Sequence, residues 1–324
     1  MNVKKICLMA AGILFVSCVV IVSRTRMPGG AGSPRALRIV TTIFPEYDWT
    51  REILGGASGG AELTLLSGGA DLHSYQPSVQ AVAGISEADI FIYVGGESDV
   101  WVEDALRNAV NGNMTVLSLM SILGSGIKTE EIKDGMQGGA DENDGTESDE
   151  HVWLSVRNAM LFCGRICDAL CEKDSDNAET YRANLASYTA RLSDLDRRLS
   201  SVADGGSRRT LLFADRFPFR YFTDDYGLDY YAAFRGCSAE TEAGFETVIF
   251  LAKKMDSLVL DAVCKIEGSD TRLARTVINS SGNSAARIIT MDSMQSVTLR
   301  QAEAGATYLG IMESNLTALE DALR

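Results

Sequence analysis

From Val156 to about residue 203 the chain runs without a proline, and its apolar residues recur at helical spacing. The stretch "KDSDNAE" is the one place where it breaks, with Ser175 or Asp176 as the N-cap of the second piece. That second piece, from about 177 to 203, would be about 40 Å long at 1.5 Å per residue. Such a helix crosses a whole lobe, so it constrains everything around it. On both sides short β-branched or apolar runs alternate with helical segments. "LRIVTT", "AELTLLSGG", "DIFIYVG" and "MTVLSLM" precede it, and "TLLFA", "DYYAAF", "DAVCKIEG" and "ARIITMDSM" follow it. Alternation of this kind implies parallel sheets covered by helices. The expected fold is α/β: two lobes, each a mostly parallel sheet flanked by helices, joined by a long rigid connecting helix. The expected division is a tether at 1–35, a first lobe at 36–155, the connecting helix at 156–206 and a second lobe at 207–324.

A chain of 324 residues is long for a single core and fits two lobes. Its net charge of −14 argues against nucleic acid as a partner, because little basic surface is available to neutralise phosphates. The acidity is concentrated. Residues 129–150 carry nine acidic side chains and one lysine. Their composition reads as a mobile surface loop, either a solvated insertion or a loose collector of cations.

Lys4 and Lys5 precede an uncharged apolar run of 17 residues, 6–22, between a signal segment and a full span in length. Ser17 before Cys18 loosely resembles a lipoprotein cleavage box. The alternatives are a lipidated Cys18 and an uncleaved helical anchor. Either places the folded part on the extracytoplasmic face of the cell membrane, on a Gly/Ser/Pro-rich tether at 23–35. Cys163, Cys167 and Cys171 share one helical face, which reads as a packed apolar stripe in preference to a thiolate zinc site. Cys237 and Cys264 could form a disulfide.

The chain has two histidines, His73 in "GGADLHSYQPS" and His151 in "ESDEHVWLS". Each follows an acidic residue closely, Asp71 and Glu150, and each lies at an expected loop or helix start. A neutral imidazole is the commonest metal ligand among side chains. Seventy-eight residues of separation exclude a helical HExxH pair, and with it the usual metalloprotease motif. His73 also follows a strand end, where open α/β sheets place their ligands. The residues alone leave two readings open: two unrelated side chains, or halves of one site in an interlobe cleft.

"GADLHSYQPS" resembles the first ligand motif, D-P-H-x-Y-E-P-S/T, of the solute-binding proteins of zinc and manganese ABC importers. "DEHVWLSVRNA" resembles their second, D-P-H-x-W-L-D-P-x-N-A. "VTTIFPEYDWTREILGG" is similar to their opening strand and helix, and "YLGIMESNLTALEDAL" to their last helix. The resemblance covers about residues 37–324. It implies metal held between two lobes, with His73 and His151 as ligands. It places Arg216 where the family has a third ligand, His or Glu. An arginine cannot ligate a metal. A unit charge at 5 Å from a dication is repelled by roughly 6 kcal/mol at an effective dielectric near 20. Arg216 must therefore turn away or pair with carboxylates, and Asp215 is the candidate replacement. Asp292 matches the family's fourth, acidic position. Glu242 and Glu267 match recurrent family glutamates, either of which could orient ligands rather than touch the metal. Glu240 is a further candidate, or a partner for Arg216.

The function expected from this resemblance is capture of a divalent transition metal and its delivery to an ABC permease, by a monomer that performs no covalent chemistry. Two imidazoles with one or two carboxylates suit Zn²⁺, and a more oxygen-rich set moves toward Mn²⁺. Two other readings remain: a receptor for an anion or metal chelate contacted by Arg216, and a metal-dependent hydrolase.

Overall fold

The computed structural model describes residues 36–57, 60–137, 147–238 and 242–324. The apolar run at 6–22, Cys18 and Glu240 lie outside the described residues. Among those described, no helix is long and apolar enough to cross a membrane.

The first sheet is built from β1 (Arg38–Thr41), β2 (Glu62–Leu65), β3 (Ile90–Tyr93) and β4 (Thr115–Ser118). Its strands are all parallel, in the order β2-β1-β3-β4. Helices α1 (Phe44–Leu54), α2 (Val79–Ser86), α3 (Trp101–Arg107) and the short α4 (Leu119–Leu123) belong to this lobe. After α5 (Val156–Lys173) and α6 (Ala178–Gly205) the scheme repeats. The second lobe has β5 (Thr210–Phe217), α7 (Arg220–Asp225), β6 (Asp229–Arg235), α8 (Phe245–Ser257), β7 (Ala262–Ile266), α9 (Arg272–Ser280), β8 (Arg287–Met291), α10 (Leu299–Glu303) and α11 (Tyr308–Leu323). The order β6-β5-β7-β8, again parallel, is the counterpart of the first sheet's.

Successive strand residues face opposite sides of a sheet, and here each side meets a different core. Ile39, Ile90 and Ile92 point to one apolar core, and Val40 and Phe91 to another against α2 and α3. In the second sheet Leu211, Phe213 and Cys264 join the same first core, whereas Leu212 and Val263 pack under α8 and α9. The inner faces of both sheets therefore share one continuous core. Trp49, Trp153, Tyr188, Phe213 and Tyr308 belong to it, each 1% exposed or less.

The expected break of the long helix is real. A short turn at Ser175–Asn177 separates α5 from α6. The 28 residues of α6 reach about 42 Å at 1.5 Å per residue, and the helix packs on α1, α5 and α11. Side chains staple the lobes at the same level. Trp153 Nε1 donates to the Ser293 carbonyl at 2.9 Å, and the Tyr308 hydroxyl to the Trp153 carbonyl at 2.8 Å.

The acidic insertion departs from its expected character at both ends. Glu130, Asp149 and Glu150 are buried. Thr129 and Ser148 form an antiparallel bridge, and Gln137 N–H donates to the Ala233 carbonyl of β6 at 2.9 Å. The insertion is thereby anchored on the second lobe. Its middle, 138–146, lies outside the described residues.

Candidate metal centre

Parallel strands send their carboxyl ends the same way, and the loops beyond those ends hold the functional side chains. His73 lies in a tight turn, Leu72–Ser74, after β2, where Asp71 Oδ1 accepts the His73 N–H at 3.1 Å. His151 precedes a second turn, Val152–Leu154, which leads into α5 through the N-cap Ser155. These turns bring the two rings together. Their Nε2 atoms lie 3.2 Å apart.

The other ring nitrogens are occupied. His151 Nδ1 is 2.9 Å from Asp149 Oδ1, which also accepts the His151 backbone N–H at 2.8 Å. His73 Nδ1 is 2.8 Å from Ser98 Oγ, and Glu150 Oε2 stands 3.5 Å away. Ser98 N–H donates to Glu150 Oε1 at 2.9 Å, so the turn after β3 joins the support. Gly96 makes this possible. Its φ is +88°, and a Cβ there would fall 2.4 Å from Glu150 Oε1. Carboxylates behind ligating imidazoles fix tautomer and ring orientation. The two Nε2 atoms are left to face each other, with donor and acceptor set by the tautomers.

The electrostatics agree. Burial pushes the His73 pKa down to about 3, with the neighbouring His151 and Arg216 adding to the effect against Asp71. His73 is thus a neutral imidazole at physiological pH. Burial also opposes charge on His151, but Asp149, Glu130 and Glu150 outweigh it and hold its pKa above the ordinary value.

A third donor joins them. The ligand atoms of His73, His151 and Cys237 all lie within 4.8 Å of one another, the one group of three or more His, Cys, Asp and Glu donors that fits a metal ion among the described residues. Cys237 follows the end of β6. Its N–H donates to Glu130 Oε1 at 2.9 Å. Burial and the carboxylates of Glu130, Asp149 and Glu150 raise its thiol pKa well above the ordinary value. Cys237 and Cys264 are both free, so the disulfide considered for them is not formed. The Cys163, Cys167 and Cys171 stripe is also free thiol, with Cys163 and Cys167 packed in the shared core.

Asp215 and Asp292 are not brought into this group. Asp215 spends both oxygens on backbone amides, accepting from Arg216 N at 2.9 Å and Ile266 N at 3.1 Å. It ties β5 to β7. Asp292 accepts the Met294 N–H at 2.7 Å, and burial raises its pKa. Beside it, burial and the Asp292 charge lift Glu267 to about 7, while Glu267 holds Ser293 N and Oγ at 2.7 Å each. Glu242 is exposed, and its carbonyl accepts from Gln137. Arg216 sits inside β5, not at a helix start. A register irregularity between Phe213 and Arg216 re-aims the strand end, and Arg216 Nη2 reaches Asp71 Oδ2 at 3.0 Å. Both line a cleft of about 460 Å³ with Asp215, Glu267, Asp270 and Arg272.

Nothing local in the sequence marks Cys237 or Glu130. The available signal was positional: Cys237 follows an expected strand end, as His73 does.

The chain is 28% identical over 320 residues to the "Zinc-binding lipoprotein AdcA" of Streptococcus pneumoniae, a match covering 98% of this chain and 60% of that protein. It is 25% identical over 296 residues to the "High-affinity zinc uptake system protein ZnuA" of Bacillus subtilis, covering 89% of this chain and 88% of that one. The chain thus spans somewhat under two thirds of the streptococcal relative's length. Among solved structures, the Zn(II)-bound ZnuA-like domain of S. pneumoniae AdcA superposes with a TM-score of 0.69 at 26% identity, over 89% of this chain and 99% of that domain. The metal-dependent lipoprotein YcdH of B. subtilis shares the fold, with a TM-score of 0.71 at 24% identity, over 89% of this chain and 100% of that one. With residues 39–322 matching the model described as zinc-uptake complex component A, periplasmic, the chain belongs to that family.

Proposed function

We propose that this protein captures Zn²⁺ at the mouth of the interlobe cleft, with His73 and His151 as ligands, and hands it to an ABC permease. The observation that carries the reading is the Nε2 pair at 3.2 Å with both Nδ1 atoms engaged from behind. Zinc–nitrogen bonds of about 2.0–2.1 Å at the tetrahedral angle put two nitrogens about 3.3–3.4 Å apart. The pair, at 3.2 Å, is within about 0.2 Å of that spacing. The names of the relatives, zinc-binding lipoprotein and zinc uptake protein, support the same cargo.

The proposed division has a first lobe at 36–155, helices at 156–206 and a second lobe at 207–324. Binding, without covalent chemistry, is the whole of the proposed activity. We place the protein on the extracytoplasmic face of the membrane, held through Cys18 or the apolar run before it; the lipoprotein relative supports that placement. The reading with an anion on Arg216 gains no support, because the guanidinium is already paired with Asp71 and acids outnumber arginines around the cleft.

The test is a zinc titration of apo protein followed by thermal melting. Zinc should raise Tm in the wild type by several degrees and leave His73→Ala and His151→Ala unmoved. An unchanged Tm in the wild type, or full binding by both variants, defeats the reading.

A further inference from the structure

We propose that Cys237 is the third zinc ligand, so that the cargo is held by two imidazoles and a thiolate. This rests on the zinc reading above and names the donor which that reading leaves open.

Geometry is the first argument. In a tetrahedron with zinc–nitrogen bonds of about 2.0–2.1 Å and a zinc–sulfur bond of about 2.3 Å, a sulfur and a nitrogen stand about 3.5–3.6 Å apart. The Cys237 Sγ lies within 4.8 Å of one ring nitrogen of His73 and one of His151 before any ion is placed. Closing the remaining gap takes about an ångström of side-chain movement.

The approach is built into the backbone. Gly236 precedes Cys237, and a Cβ on it would meet Phe217 O at 2.9 Å and His151 Cε1 at 3.1 Å. The missing side chain lets the turn lie against the imidazole. Glu130 then fixes the turn through the Cys237 N–H, and Glu130 comes from the neck of the insertion that ends at His151. One segment thus sets the positions of two donors.

Asp215 and Asp292 lie outside the group of converging donors. Asp215 has both oxygens on backbone amides, and Arg216 is held by Asp71. Cys237 has no disulfide partner, and its side chain is only partly buried. Binding exchanges the S–H bond for an S–Zn bond, with the thiol proton released.

A thiolate also sets the cargo class. Soft sulfur ligands favour Zn²⁺ and other thiophilic ions, whereas Mn²⁺ prefers oxygen donors. The site should therefore discriminate zinc from manganese more sharply than an all-nitrogen-and-oxygen set.

The experiment loads the apo protein with Co²⁺ as a spectroscopic substitute. The wild type should show a sulfur-to-cobalt charge-transfer band in the near ultraviolet together with visible bands of tetrahedral cobalt. Cys237→Ser and Cys237→Ala should keep bound cobalt and lose the charge-transfer band. Both should bind Zn²⁺ at least tenfold more weakly by competition titration, with a smaller loss for Mn²⁺. Equal circular dichroism and apo Tm confirm that the variants fold. Cobalt bound by the wild type without the band, or a band that survives in Cys237→Ser, overturns this proposal alone. No cobalt or zinc bound by the wild type overturns the zinc reading and this proposal with it.

Discussion

Arg216 and Asp71 meet across the cleft, Nη2 to Oδ2 at 3.0 Å, although 145 residues separate them in the chain. One comes from β5 of the second lobe and the other from the turn that carries His73. The pair answers the problem that a fixed cation would pose beside the proposed zinc site. It pairs the guanidinium with the carboxylate that also holds the His73 N–H, although Arg216 still helps to lower the His73 pKa.

Removing the carboxylate alone should therefore expose the charge. Asp71→Asn keeps an oxygen for the His73 N–H but leaves Arg216 unneutralised. Zinc affinity should fall by about tenfold or more, in line with like-charge repulsion at a few ångströms in partly buried surroundings. The double variant Asp71→Asn with Arg216→Ala should recover most of the loss. A competition titration reads it, and equal weakening in single and double variants would count against the charge argument.

The supports behind the rings should matter nearly as much as the rings. Asp149→Ala removes the acceptor of His151 Nδ1 and of its backbone N–H. We expect zinc affinity to drop by about 10–100-fold, the usual range for carboxylates behind a ligating imidazole. Wild-type affinity in this variant would show that packing alone orients His151.

Gly236→Ala offers a steric counterpart. The added methyl meets Phe217 O and His151 Cε1 inside ordinary contact distance. Overpacking of this kind costs about 1–3 kcal/mol. Chemical denaturation should show that loss, and zinc binding should weaken as the ring is displaced. A variant as stable and as tight as wild type would mean that the turn gives way freely.

Away from the site, Glu46 predicts a pH effect. It is fully buried, and Oε2 accepts from Thr42 N at 2.8 Å and Ile43 N at 3.2 Å. Burial, reinforced by the Asp99 charge, lifts its pKa from 4.5 to about 8. The folded state then keeps a proton that the unfolded chain gives up. This contribution is fully present below pH 4.5, and stability falls as pH rises through about 8, by about 1.4 kcal/mol per pH unit at most. Glu46→Gln should flatten the decline between pH 5 and pH 8, measured as Tm against the wild type. Parallel pH profiles for the two proteins would refute the assignment to Glu46.

The fold was legible because each parallel strand is a short apolar run and each helix has its own period. Even the break between α5 and α6 shows in "KDSDNAE". The histidine half of the site was legible for a different reason. Two motifs survive as local strings, and the chain holds no other histidines. The rest depends on convergence. Cys237 meets His73 across 164 residues, and no string records that distance. Composition misled at the insertion. Glu130 and Asp149 look like part of a solvated acidic run, yet tertiary contacts bury both. At Arg216 the strand runs on to Phe217, past the expected end at residue 214, because Arg216 and Phe217 regain pairing with β6 after the irregularity.

The core shared by the two sheets bears on how a bound ion would leave. Prising the lobes wide apart would wet residues such as Trp49, Phe213 and Tyr308. Each such side chain costs about 1.5–3 kcal/mol to expose. Motion of the turns carrying His73 and Cys237 is cheaper, because both residues are only partly buried. On the proposed function, a docking permease that grips these turns would pull one donor off the ion while the shared core stays closed, so discharge would resemble unlatching a catch more than opening a jaw.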